Sequence, residues 1–161
     1  MTWQPRALLG GLVLAGVVIG LDQLTKAWMM GLLLEPPRAM ALTGFMALVP
    51  VWNRGVSFGI LASPDGSMAW VLTALALAVV AGLTVWLARA ERTLLQLGLA
   101  LVIGGALGNV VDRGRYGQVF DFLDFHVAGW HWPAFNLADT AITVGVGLLL
   151  LDGILVGKPR P

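Results

Sequence analysis

The sequence predicts an all-α integral membrane protein: four transmembrane helices with a small extramembrane β-platform. Three observations carry this. Of 161 residues 58% are hydrophobic, and the mean hydropathy is +0.83. Charged residues make up 12%, roughly half the ~25% usual in soluble domains. Four apolar runs are long enough to cross a bilayer core, which takes about 20 helical residues. Lipid rather than water as the main solvent accounts for all three. At this length a single domain, 1–161, is expected.

The first run, 7–28, follows Arg6 and opens like a secretory leader. No small-residue cleavage site follows it; Asp22, Lys26 and Trp28 come instead, so it reads as an uncleaved first span. The second, 68–88, has no charge, and the third, 94–111, is interrupted only by Gln96 and Asn109. The fourth, 137–156, has Asp139 near its start and Asp152 near its end. As helices, all four satisfy their own backbone hydrogen bonds, which lipid requires.

Two long loops, 29–67 and 112–136, remain. The first contains VPVWNRGVSFGILASP, whose β-branched and aromatic residues between glycine and proline breaks suggest short strands over the helix ends. Gly104, Gly105 and Gly108 in the third span, and Gly16 and Gly20 in the first, have the spacing of close helix contact. Trp28, Trp52, Trp70, Trp130 and Trp132 read as interface anchors.

Charge density sets the orientation. Arg6, Arg89, Arg92, Lys158 and Arg160 crowd into the two tails and the short turn between spans two and three. A similar number is spread over the long loops, so both termini are expected in the cytoplasm. Parity then brings Asp22, Asp112, Asp121 and Asp139 to one membrane surface, the outer one, together with Asn53 and Arg54. The β-platform lies there too, on the periplasmic side.

An ionisable group beside a bilayer is costly and rarely idle. Two carboxylates within reach of each other offer the paired-acid chemistry that activates water without metal, thiol or serine. Asp121 in VFDF and Asp139 in FNLADTAI are the candidates; Asp112 and Asp124 compete as the second acid. Each also has a plainer role, Asp121 as a solvated loop acid and Asp139 as a helix cap. Asp22 and Lys26, four apart in DQLTK, read as an interfacial ion pair. Asn109, an amide one turn inside lipid, calls for a partner in the bundle.

Several classes are disfavoured. A net charge of +1 without a dense basic run gives no nucleic-acid partner. The absence of cysteine excludes a catalytic thiol, zinc–thiolate ligation and disulfides. GVSFG at 55–59 matches G-x-S-x-G, but that pattern needs an elbow and a histidine base. His126 and His131 lie in the other loop, five apart and without a third strong ligand, so neither a metal nor any cofactor is expected.

Taken together and in order, DQLTK, NRGVSFG, GGALGNVVDR, VFDF and PAFNLADTAI resemble lipoprotein signal peptidase, the type II signal peptidase of bacteria. The resemblance covers most of the chain. It implies an aspartic endopeptidase of the bacterial inner membrane, with Asp121 and Asp139 as the catalytic dyad. It also implies polar support from Asp22, Lys26, Asn53, Asn109, Asp112, Arg113 and Asn136; Arg54 and Gly55 stand in the same NRG segment. The implied substrate is a diacylglyceryl-modified prolipoprotein, cut just before its lipidated cysteine. Besides that substrate and membrane lipid no partner is expected, and the enzyme is read as a monomer. Two rival readings stay open: a serine intramembrane protease using Ser57 and His126, and a small proton-coupled transporter with no enzymatic role.

Overall fold

The computed structural model describes residues 3–55 and 67–156. Four helices form the bundle: α1 (Pro5–Leu33), α2 (Ser67–Leu87), α3 (Thr93–Tyr116) and α4 (Leu137–Val156). All four are long and apolar enough to cross a membrane. Outward faces stay apolar, with Leu9, Val13, Leu24, Leu75 and Leu150 exposed. That is the pattern for a bundle solvated by lipid.

The central helix is α3, on which α1, α2 and α4 all pack. Small residues make this possible. A Cβ on Gly104 would lie 2.8 Å from Val18 of α1, and one on Gly105 would collide with the Ala138 carbonyl of α4. Gly98 and Gly145 meet across the same α3–α4 seam. Gly16 and Gly20, expected to join these contacts, instead face outward with nothing near their Cβ positions. On α1 the close approaches fall on another face, at Ala15 and Val18 against Gly104 of α3 and at Gly11 against Leu87 of α2.

Two helices outrun their apolar stretches. α1 continues to Leu33 because Met29 and Leu33 pack beneath the sheet with Leu48, Phe120 and Phe122. α3 continues through Arg113 to Tyr116, and Gly117 ends it at φ +69°, a left-handed conformation that glycine adopts without strain.

The platform is an antiparallel four-stranded sheet in the order β1 (Met40–Ala41), β2 (Met46–Asn53), β3 (Val119–Val127), β4 (Trp130–His131). Leu48 of β2 pairs with Leu123, yet Val51 pairs with Asp121. The extra residue forms a bulge at Val49–Pro50, where a proline without an N–H is tolerated. β3 and β4 are joined by Ala128 and Gly129, both at positive φ, as a tight two-residue hairpin requires. Trp28, Trp70, Trp130 and Trp132 are exposed, as anchors should be. Trp52 is half-buried and packs on Tyr116 and Phe120. The part of the first loop after Gly55, including Ser57, lies outside the described residues.

Candidate active site

Asn136 stands just ahead of α4, and Asp139 is the third residue of that helix. Their exchange is reciprocal. The Asp139 N–H donates to Asn136 Oδ1 at 3.0 Å, and the Asn136 N–H donates to Asp139 Oδ2 at 3.2 Å. This capping-box pattern satisfies orphan donors of the first turn and pins the Asp139 carboxylate. The plain cap reading of Asp139 is therefore correct as far as it goes. Its Oδ1 meets a different partner, the Asn109 amide of α3, at 2.8 Å.

Asp121 is the third residue of β3, the pair partner of Val51. Asn136 Nδ2 donates to its Oδ1 at 2.7 Å, and Asn53 Nδ2 donates to its Oδ2 at 3.1 Å. Asn136 thus touches both acids, through its side-chain amide on one and its backbone on the other. It is fully buried, and its amide reaches Asn109 Oδ1 as well.

Beneath these acids lies a buried cation. Lys26 Nζ donates to Asp22 Oδ2 and Asp112 Oδ2, each at 2.9 Å, and to Asn109 Oδ1 at 3.1 Å. An ammonium has only donors, so Asn109 must turn its oxygen to Lys26 and its NH₂ to Asp139. Asp22 also accepts the Ala138 N–H at 2.9 Å, and Asp112 accepts the Phe120 N–H at 3.1 Å. One network therefore ties α1, α3, β3 and α4 together. The expected i,i+4 pair of DQLTK does form, and it is also the base of this network, at 0–2% side-chain exposure. Among the described residues no buried side-chain polar atom lacks a partner.

A cavity of about 440 Å³ opens above the network. Asn53, Gly55, Asn109, Arg113, Asp121 and Asp139 line its polar end, and Leu72, Leu75, Val79, Val102 and Ile142 its apolar end. Arg113 Nη2 donates to the Gly55 carbonyl at 3.3 Å. Arg54 turns away to the rim, donating to Gln118 at 3.2 Å. A second cleft of about 330 Å³, lined by Trp132, Phe135, Thr140 and Thr143, reaches Asp139 from another side.

The electrostatics are unbalanced by design of the chain. Asp22, Asp112, Asp121 and Asp139 face Lys26 and Arg113, four acids against two cations. Burial pushes the Asp121 carboxyl up to about 7, and the nearby charge of Asp139 adds to the rise. The amides of Asn53 and Asn136 pull the other way without cancelling it. A carboxyl held there carries a proton for much of the time at neutral pH.

The competing acids are otherwise engaged. Asp112 is consumed by Lys26, Phe120 and Gln23. Asp124 accepts from His126 and His131 on the hairpin. Neither histidine lines the cavity that holds Asp121 and Asp139. Gln23 was not singled out in the sequence, yet it donates to Asp112 at 2.8 Å. Its place inside DQLTK, one residue from Asp22, was the available signal.

Known proteins are similar to this chain over most of its length. A family model described as Signal peptidase (SPase) II matches residues 14–155. A lipoprotein signal peptidase of Methylorubrum extorquens (strain PA1) is 44% identical over 96% of this chain and 90% of its own. That of Azoarcus sp. (strain BH72) is 47% identical over 96% and 88%. One from Burkholderia ambifaria (strain MC40-6) is 50% identical over 84% and 82%. A solved structure described as a bacterial membrane enzyme superposes with a TM-score of 0.77 at 25% identity, covering 94% of this chain and 93% of that one. The chain belongs to the signal peptidase II family.

Proposed function

We propose that this chain is an aspartic endopeptidase that removes the signal peptide from diacylglyceryl-modified prolipoproteins, with Asp121 and Asp139 as its dyad. The observation that carries the reading is the shared position of the two acids. They line one cavity and are bridged by Asn136, while every other nearby acid is neutralised or bonded elsewhere.

The chemistry follows from the single shared proton. Two buried carboxylates this closely coupled do not both ionise easily, so their titration belongs to the pair. The ionised member takes a proton from a water molecule, which attacks the scissile carbonyl. The protonated member donates to the carbonyl oxygen and later helps the amine leave. Asn53 and Asn136 hold Asp121, and Asn109 holds Asp139, so neither carboxylate is free to turn away. Arg113 and Gly55, at the polar end of the cavity, are placed to hold the substrate backbone.

Substrate access follows from helix packing. α2 and α4 each pack chiefly on α3, and the cavity between them is apolar toward the membrane interior. A signal helix enters this cleft sideways from lipid. The second cleft beside Asp139 offers room for acyl chains. The enzyme sits in the bacterial inner membrane as a monomer, both termini cytoplasmic and the dyad facing the periplasm. The dense positive charge of the tails and the α2–α3 turn supports that orientation.

The test compares purified enzyme on a lipidated precursor and on the same precursor without the diacylglyceryl group. Lipidated substrate should be cut at least about tenfold faster, the equivalent of ~1.4 kcal/mol of transition-state binding. Equal rates would contradict a lipid-reading site.

A further inference from the structure

The β3–β4 hairpin holds a second cluster that the dyad does not use. The two-residue turn at Ala128–Gly129 fixes the register so that His126 and His131 are direct cross-strand partners. Their side chains therefore share a face. Asp124, two residues before His126 on β3, shares it too, because strand side chains alternate with period two. Sequence spacing alone hides this third donor.

The side chains meet. His126 Nδ1 lies 2.9 Å from Asp124 Oδ1, and His131 Nδ1 lies 2.8 Å from Asp124 Oδ2. The two rings stack with centroids 5.0 Å apart, directing both Nδ1 atoms to the same carboxylate. One ligand atom from each of the three residues lies within 4.8 Å of the others. Asp124 is buried at 11% side-chain exposure, whereas His131 is 58% exposed, leaving an entry path. Phe125, Trp130 and Trp132 form an apolar wall beside His126.

We propose that Asp124, His126 and His131 form a divalent-metal site of the zinc class that pins the hairpin. Two imidazoles and one carboxylate are a donor set zinc accepts, with a fourth position left to water. Tetrahedral bonds of about 2.0–2.1 Å place ligand atoms about 3.3 Å apart, a few tenths of an ångström more than the 2.8–3.0 Å that now separates each Nδ1 from the Asp124 carboxylate. Each imidazole would bind through a deprotonated Nδ1, the metal displacing any proton held there. The site is structural and separate from the dyad. It clamps the segment between Asp121 and Asn136, whose far end is already held by the Leu123–Phe135 pairing.

The experiment uses chelator-stripped full-length protein in detergent, titrated with Zn²⁺ alone by calorimetry and with Co²⁺ by absorption. Wild type should bind one equivalent, with a tetrahedral cobalt spectrum, and its Tm should rise by several degrees. His126→Ala and His131→Ala should each weaken binding at least about tenfold and abolish the Tm rise; His131, being exposed, is the variant least able to disturb folding. Absence of saturable binding, or wild-type affinity in both variants, overturns the proposal. So does a loss of Tm in the variants with no response of wild type to zinc, which is the behaviour of a hydrogen-bonded clamp alone. Peptide cleavage by the metal-free protein reads the dyad separately.

Discussion

Asn136 is the residue on which the two acids depend. Its one amide reaches Asp121 and Asn109, and its backbone closes the cap with Asp139. The sequence already pointed to Asn136 as polar support of the two acids, through the FNLAD segment. That it bridges both acids needed the β3–α4 juxtaposition. The Asp121 carboxyl has its own consequence for pH. In the unfolded chain it titrates near 3.8, and in the fold near 7. The native state therefore holds an extra proton across that interval, so this group's contribution to stability falls as pH rises from about 4 to about 7 and levels beyond it. Asp121→Asn removes the penalty. Its Tm should exceed that of wild type by more at pH 8 than at pH 4, and wild-type cleavage should decline above about pH 7 as the shared proton leaves. A Tm difference independent of pH would contradict the raised carboxyl.

Lys26 lies at the same scale. Removing it leaves Asp22 and Asp112 buried, adjacent and uncompensated. Lys26→Met should destabilise the protein by about 3–5 kcal/mol, measured by unfolding in detergent. The i,i+4 spacing of Asp22 and Lys26 was legible; their burial was not, because Asp112 arrives from a helix distant in sequence.

At the scale of elements, existence and order of the four helices could be read from hydropathy, and the acids' common end from parity. Boundaries and faces were harder. α1 and α3 extend past the apolar runs because the sheet gives their last turns something to pack against. Glycine spacing nominated Gly16 and Gly20 as readily as Gly105, since spacing does not say which face meets a neighbour. The difference is testable. Gly105→Ala drives a Cβ into the Ala138 carbonyl, one residue from Asp139, and should cost about 1–3 kcal/mol while slowing cleavage. Gly16→Ala, facing open space, should leave both unchanged. Matching losses in the two variants, read by thermal unfolding and cleavage rate, would remove the close α3–α4 seam from the explanation.

The whole molecule places a polar, partly buried site where an apolar cleft meets a small sheet. Lipid supplies the solvent for the helices, and residues of α2, α3 and α4 line the cavity that holds Asp121 and Asp139. Ser57, on which the serine reading rests, lies outside the described residues. The histidines hydrogen-bond Asp124 on the hairpin, and Asp121 and Asp139 line one cavity that neither histidine reaches. What the sequence could not display was the sharing of one cavity by residues 18 apart in number and on different elements.

The most direct measurement is cleavage of a lipidated precursor by purified wild type, Asp121→Asn and Asp139→Asn, each checked for folding by thermal unfolding. Both variants should fold and lose activity by about 10²–10⁴-fold or more, since each removes one half of the proton exchange. A folded variant of either kind that cleaves at the wild-type rate would contradict the two-acid mechanism.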